Sequence, residues 1–360
     1  MKVPLIDFSY ELDEFHEDLS HLILDHVKKS EFIGGESVSR FEENLGQFLN
    51  VKNVISVGNG TDALLIALEA LELTKKDVIV PSFSFFATSE AIVKANLNPV
   101  FIDVNRQDCN INTEIIEKNI TNQTGAILPV HLFGNASDME TIKNLSDKYD
   151  LKIIEDVAQS FGSKFQNKYL GSIGDFGCFS FFPTKTLGAY GDGGAIVTNN
   201  DNLARKAKML KNHGAEKKYF NELFGYNSRL DSIQASILNL KLKKINKWIE
   251  KRVEIGRFYD SSFSTVKGIE LLDNSNSTFN YYTIYILNNK RDEFKLYLDQ
   301  HGIANAIYYP NTLPSLPAHN NSKKFPIAEK ACKEVISLPI WPGMSNDQQK
   351  YVIDTVKEFF

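Results

Sequence analysis

The stretch Lys52–Ser82, KNVISVGNGTDALLIALEALELTKKDVIVPS, decides the fold class. Its opening KNVISVG is short, apolar and rich in β-branched residues, which predicts a strand. TDALLIALEALEL (61–73) then places apolar residues three and four apart, the spacing of a helix. DVIVPS (77–82) returns to a strand. Strand, helix and strand in succession form a crossover unit, whose two strands run parallel in one sheet.

The same alternation continues outward. SEAIVKAN (89–96) leads to NPVFIDV (98–104), and GAILPVHLFG (125–134) is followed by DMETIKNLSDKYD (138–150) and LKIIEDV (151–157). Strands this continuously apolar suit a sheet covered on both faces by crossover helices. The chain is therefore α/β with a mostly parallel sheet. After GGAIVTNN (193–200) the pattern changes. A long polar helix is expected from about Asp231 to Phe263, then a strand in FNYYTIYIL (279–287), a helix in RDEFKLYLDQHG (291–302) and a last helix in DQQKYVIDTVKEFF (347–360). The expected division is a large domain over 1–245 and a smaller one over 246–360, parted inside the long helix. The span Asn311 to Lys324, rich in Pro, Ser and Asn, reads as a surface loop.

Composition removes several classes of function. Forty Lys and Arg against 45 Asp and Glu leave a formal charge of -5, so there is no basic field for nucleic acid or anionic lipid. The opening MKVPLIDFSYELDEF lacks the apolar run of a leader, and no later run could span a bilayer. Cys109, Cys178 and Cys332 are odd in number and far apart. They offer neither a disulfide framework nor a zinc spacing, and the expected compartment is the cytoplasm.

Three segments carry chemistry. In VGNGTDAL (57–64), Gly58 and Gly60 break a strand, and Thr61 with Asp62 opens a helix whose free N–H groups suit a phosphate. A plain strand-to-helix turn fits these residues equally well. So does the dinucleotide pattern GxGxxA, but the next strand ends in Val80, Pro81 and Ser82 and supplies no acidic residue for a ribose. In LKIIEDVAQSFG (151–162), Glu155 and Asp156 close a strand where open α/β sheets bind ligands, and alternation sends them to opposite faces. Gln159 follows within reach of the same pocket. In GDFGCFSFFPTKTLGAYGDGGAIVTNN (174–200), Lys185 stands among aromatic and glycine residues. Burial there would lower its amine pKa and make it a nucleophile for a Schiff base; a surface lysine lying on apolar neighbours is the other reading.

Together these segments resemble the DegT/DnrJ/EryC1/StrS family of sugar aminotransferases. The likeness runs from FIGGESVSRFEENLGQFLNVKNVISVGNGTDAL (32–64) through VPSFSFFATSEAIVKANLNPVFIDV (80–104), AILPVHLFGNASDM (126–139), EDVAQSFG, FSFFPTKTLGAYGDGGAIVTN, KNHG (211–214) and GYNSRLDSIQASIL (225–238), to YYP (308–310) and SLPIWPGMS (337–345). It implies the fold-type I architecture of pyridoxal 5'-phosphate (PLP) enzymes: a three-layer sandwich plus a smaller C-terminal α/β domain. It also implies a set of roles. Lys185 would carry PLP, Asp156 would pair with the pyridine nitrogen, and Phe85 would stack on the ring. Gln159 would sit near the ring's phenolic oxygen. Gly60, Thr61 and Ser180, with Asp62 beside them, would form the phosphate site. Asn227 would reach it from the other subunit of a homodimer with shared active sites. Arg229, Tyr308 and Tyr309 would face the substrate.

The activity so implied moves an amino group from an amino acid, expected to be L-glutamate, to a nucleotide-linked keto-sugar. LGAYGDGG (187–194) looks more like members acting on a 3-keto than on a 4-keto hexose. Two positions depart from the family. Tyr308-Tyr309 stands where many members have His-Tyr, and Pro314 stands where many have His or Asn. A small phosphorylated ketone is therefore an alternative acceptor. A non-catalytic PLP-binding regulatory protein would have lost Lys185 or Asp156, and both are present. No metal site is expected: His16, His21 and His26 recur every five residues and spread around a wet helix, and His131 reads as structural.

Overall fold

The computed structural model describes all 360 residues. Its main sheet has seven strands: β1 (Asn53–Val57), β2 (Asp77–Pro81), β3 (Asn98–Ile102), β4 (Thr124–Ile127), β5 (Lys152–Asp156), β6 (Phe176–Ser180) and β7 (Gly194–Thr198). They lie in the order β1-β7-β6-β5-β4-β2-β3. All neighbours run parallel except the two pairs made by β7, which is antiparallel to β1 and β6. Eleven α-helices accompany the strands: α1 (Ser9–Lys29), α2 (Gly35–Leu49), α3 (Gly60–Ala70), α4 (Phe86–Lys94), α5 (Met139–Tyr149), α6 (Asp201–Leu210), α7 (Ser232–Leu242), α8 (Ile245–Phe263), α9 (Arg291–Gln300), α10 (Pro326–Glu334) and α11 (Asn346–Phe359). None is long and apolar enough to cross a membrane.

The strand side chains show why the sheet needs cover on both faces. Val54 and Ile55 of β1 fall into different cores, as do Ile79 and Val80 of β2 and Ile153 and Ile154 of β5. Apolar residues on both sides of one strand require two helical layers. One core lies under α3, α4 and α6, and the other under α2, α5 and α7 with α1 outside. Helix α3 is apolar nearly all round because it is sunk between the sheet and its neighbours, with Ala63 to Leu68 all buried. The result is the expected three-layer α/β sandwich.

Beyond α7 a second sheet forms from β8 (Ile269–Leu271), β9 (Tyr282–Ile286) and β10 (Val335–Leu338), all antiparallel. With α8, α9 and α11 it encloses a third core built on Tyr259, Tyr282 and Trp341. Val3 pairs with Ile303 and joins that core. Tyr285 and the α10 residues Ala328 and Ala331 join the core over α3 instead, so the two parts share apolar packing.

Four details differ from the sequence expectations. Strand β6 was not anticipated, yet it lies in the middle of the sheet between β5 and β7. The helix expected over Asp231 to Phe263 is broken at Lys243–Lys244 into α7 and α8. The span 311–324 is not wholly a surface loop: Thr312, Leu313 and Pro314 are buried, and the Leu313 N–H donates to the Ser82 carbonyl at 2.8 Å. His16 and His21 are exposed as expected, but His26 is buried. Its Nδ1–H donates to the Glu31 carbonyl at 2.7 Å and its Nε2 accepts from the Ser236 hydroxyl at 2.8 Å.

Candidate active site

The carboxyl ends of β1, β2, β4, β5 and β6 open together onto a cavity of about 610 Å³. Strand β7 is antiparallel, so it contributes its start, through Asp192. Each strand delivers residues to the wall in the turn that follows it, the usual place for ligands in an α/β sheet. Lys185 is the only cation on that wall.

After β1 the chain enters α3 at Gly60. The helix starts one residue earlier than Thr61–Asp62; its cap is Asn59, whose side chain accepts the Asp62 N–H at 2.8 Å. The N–H groups of Gly60 and Thr61 belong to the first turn, where a helix provides no acceptor. Gly60 and Thr61 line the cavity beside Ser180, at the end of β6. A Cβ on residue 60 would lie 2.7 Å from the Ser180 Cβ, so only glycine lets the helix mouth and β6 approach this closely. The Asp62 carboxylate is committed elsewhere: its Oδ2 accepts from the Ser228 hydroxyl at 2.6 Å. The Gly58 N–H donates to the same Ser228 Oγ at 2.9 Å.

The two carboxylates that close β5 point to opposite faces and do different work. Glu155 turns away from the cavity and is fully buried. It accepts from the N–H groups of Gly171, Ile173 and Gly174 at 2.8, 2.8 and 2.7 Å, and from His131 Nε2 at 3.1 Å. His131 Nδ1 accepts the Ser137 N–H, so the imidazole is the neutral Nε2–H tautomer and its role is structural. Asp156 faces the cavity. Its Oδ2 accepts from Thr88 Oγ1 at 2.9 Å, its Oδ1 accepts the Ala158 N–H at 3.1 Å, and Thr88 is linked in turn to Ser84 at 3.0 Å. Burial pushes the Asp156 carboxyl above the usual range, against the two donors and the nearby positive charge of Lys185. A cationic ring nitrogen set against it would relieve that cost.

Lys185 follows β6 in a loop that folds back on itself, the Ala189 N–H donating to the Phe181 carbonyl and the Phe181 N–H to the Gly193 carbonyl, both at 2.8 Å. The lysine is half-buried rather than sealed in apolar surroundings. Its Nζ has no hydrogen-bond acceptor and no ion-pair partner in the protein, and the nearest aromatic face is Tyr281, 5.7 Å away. An amine held in a cavity without an acceptor is available to a ligand.

Aromatic side chains form the rest of the wall. Phe85, at the start of α4, is exposed to the cavity and lies 5.9 Å from the Tyr309 ring. Gln159 accepts the Phe133 N–H and donates to the Tyr309 hydroxyl at 2.7 Å. Tyr308 packs at a tilt of 35° against Tyr281, with ring centres 4.5 Å apart. Asn59, Thr88, Asp192 and Tyr281 line the cavity without having been singled out in the sequence. Thr88 lay within the quoted SFSFFATSE string; nothing in that string marks it as the support of a distant carboxylate.

Three residues of interest lie off this wall. Asn227 and Arg229 flank the buried Ser228, and both are exposed. Arg229 lines a separate depression beside α6, with Lys211 and Glu42. Pro314 sits in a short buried turn outside the cavity. Within one chain the cavity thus combines an anion-binding helix mouth, a buried carboxylate, a free amine and stacking rings. That set fits PLP, whose phosphate, ring nitrogen, carbonyl and ring face would each find a partner.

Comparison with known proteins agrees with this geometry. The family model described as the DegT/DnrJ/EryC1/StrS aminotransferase family matches residues 14–357. A "Pleiotropic regulatory protein" of Geobacillus stearothermophilus is 38% identical, over 100% of this chain and 99% of its own. A UDP-N-acetyl-3-dehydro-alpha-D-glucosamine 3-aminotransferase of Acidithiobacillus ferrooxidans is 36% identical over 96% and 95%. Among solved structures, DesV of S. venezuelae in complex with a ketimine intermediate superposes with a TM-score of 0.95 at 32% identity, covering 99% of this chain and 98% of that one.

Proposed function

Because this chain belongs to the DegT/DnrJ/EryC1/StrS aminotransferase family and is a PLP-dependent aminotransferase, we propose that it transfers the amino group of L-glutamate to a nucleotide-linked 3-keto hexose. One observation carries the assignment to this cavity: the unpaired Lys185 amine shares it with a buried Asp156 held by Thr88 and Ala158. When bound, PLP supplies a carbonyl that condenses with amines and a ring that withdraws electrons from the carbon bearing nitrogen.

Each residue then has a defined task. The Gly60 and Thr61 N–H groups and the Ser180 hydroxyl hold the phosphate. Asp156 would keep the ring nitrogen protonated, and its two donors, Thr88 and the Ala158 N–H, hold the carboxylate in place for it. Phe85 covers the ring face, while Gln159 and Tyr309 brace each other at the ring edge. Lys185 Nζ would hold the cofactor through its carbonyl carbon between turnovers. As a free amine it would accept the donor Cα proton and, in the second half-reaction, give a proton to the sugar carbon that receives nitrogen. Both half-reactions use one cavity, so ping-pong kinetics follow.

Asn227 and Arg229 act in the second subunit of a homodimer, where they complete the partner's phosphate and substrate sites. Support comes from their exposure on the far side of Ser228, and from the neighbouring Tyr219, Phe220 and Phe224, which present large apolar surface. A 3-keto acceptor is supported by the name of the Acidithiobacillus relative. The small-ketone alternative loses one of its two grounds, since Pro314 does not reach the cavity. The Geobacillus relative carries a regulatory name, but the retained Lys185 and Asp156 speak against cofactor binding without turnover.

A direct test loads the enzyme with amino groups from L-glutamate and offers it UDP- and dTDP-linked 3-keto and 4-keto hexoses and a simple keto-phosphate. Mass spectrometry should find the aminated 3-keto product first. Preference for the keto-phosphate would refute the sugar assignment, and no amination of any acceptor would favour the regulatory reading.

A further inference from the structure

Behind the Lys185 loop lies a buried ion pair that the chemistry above does not use. Glu11, near the start of α1, and Lys241, near the end of α7, are each almost fully buried, with Lys241 Nζ 2.7 Å from Glu11 Oε2. A buried pair of this kind is seldom the cheapest way to fill a core, and in some proteins it is kept because it fixes a geometry.

Its remaining contacts show which geometry. Lys241 Nζ donates to the Gly188 carbonyl at 2.8 Å and lies 4.0 Å from the centre of the Tyr190 ring. Its three protons are therefore all engaged: by Glu11, by the loop backbone and by the loop's aromatic face. Glu11 Oε2 also accepts from the Tyr190 hydroxyl, and Glu11 Oε1 accepts from Tyr10 at 3.3 Å. Gln234, two turns before Lys241 on the same side of α7, accepts the Tyr190 N–H at 2.8 Å. Gly188 and Tyr190 stand three and five residues after Lys185. At Gly188 the loop has no slack, since a Cβ there would lie 2.3 Å from the Pro183 carbonyl oxygen.

We propose that Glu11 and Lys241 are positioning residues, a charged clasp between α1 and α7 that fixes the Gly188–Tyr190 backbone and so sets where Lys185 presents its amine. Neither touches the cavity; both act through the loop. The inference rests on the assignment of Lys185 as the PLP-bearing residue.

The test compares the wild type, the charge-free double variant Glu11→Gln/Lys241→Met and the single variant Tyr190→Phe, each reconstituted with PLP. Tyr190→Phe removes one hydroxyl and leaves the ion pair, so it reports on the clasp even if the double variant folds poorly. Thermal unfolding establishes the fold of each. The readouts are visible circular dichroism of the bound cofactor, which follows its orientation, and the half-reaction with L-glutamate. The double variant should lose at least half of the visible dichroism per bound cofactor and tenfold or more in kcat, with KM within twofold. Tyr190→Phe should move the same way by three- to fivefold in kcat. Folded variants whose dichroism and kcat both match the wild type would overturn the proposal and leave the clasp a packing feature. A wild type that takes up PLP with no visible band would instead remove the Lys185 assignment on which the inference stands.

Discussion

Replacing Gly60 by alanine should open the phosphate site without touching any reacting group. The added Cβ would stand 2.7 Å from the Ser180 Cβ and 3.2 Å from both its Cα and its Oγ. Non-bonded carbons rest at about 3.5–4.0 Å, so the two elements must part by roughly an ångström. Ser180 Cβ has no rotamer to escape into, because it is fixed to a strand paired on both sides. The mouth of α3 must therefore move, carrying the Gly60 and Thr61 N–H groups away from the phosphate. Overpacking of this kind costs about 1–3 kcal/mol. At about 1.4 kcal/mol per decade, PLP should bind roughly 5- to 150-fold more weakly. Titration of the purified protein with PLP, followed by visible absorbance, gives the affinity, and unfolding without PLP shows what part of the strain is global. Gly58→Ala is the control, since its Cβ would meet Asp62 and Ser228 at an ordinary 3.4 Å. Unchanged PLP affinity in Gly60→Ala would refute the placement of the phosphate at this helix mouth.

Three further outcomes are expected. Burial raises the Asp156 carboxyl, so the cofactor-free fold holds a proton there at higher pH than a free carboxylate would, and a protonated ring nitrogen expels it. PLP affinity should thus rise with pH through that raised pKa and fall below it. Asp156→Asn should bind PLP more weakly and lack this slope, and parallel affinity–pH curves for the two proteins would contradict the pairing. Glu155→Ala leaves the N–H groups of Gly171, Ile173 and Gly174 and the buried His131 without their acceptor, and should cost about 3–5 kcal/mol in urea unfolding; a loss below about 1 kcal/mol would show that the loop finds other acceptors. Finally, Lys185→Ala and Asn227→Ala should each be inactive. Mixed and re-associated, they should recover about a quarter of wild-type activity, because random pairing of two-fold dimers leaves one site in four intact. No recovery from dimers shown to have exchanged would place Asn227 in its own subunit's site.

Much of this architecture could be read from residue order. The crossover units around Lys52–Ser82 and Lys152–Asp156 carry helical and strand spacings that local chemistry fixes, and alternation alone separates Glu155 from Asp156. Strand β6 is harder to read. Like β2 and β5 it is buried on both faces, but Gly177 interrupts its apolar run, because Gly171 passes so close that a Cβ there would lie 2.3 Å from its carbonyl oxygen. The break at Lys243–Lys244 has no glycine or proline to announce it. His26 is buried only because Ser236, 210 residues away, comes to meet it. The chemical groups Lys185, Asp156 and Gly60 stand in recognisable strings, whereas their supports come from elsewhere in the chain. Thr88 on Asp156, Ser228 on Asp62 and Lys241 on Gly188 are contacts made by tertiary packing, and no local spacing encodes them.

The most direct test of the central claim is an absorption spectrum of the PLP-reconstituted protein before and after L-glutamate, with Lys185→Ala alongside. A PLP-dependent aminotransferase with its cofactor joined to Lys185 should show a visible band that fades as the donor amine is taken up. That band should be missing or unresponsive in Lys185→Ala. The absence of any cofactor band in the wild type, or an equal response in the variant, would contradict the account.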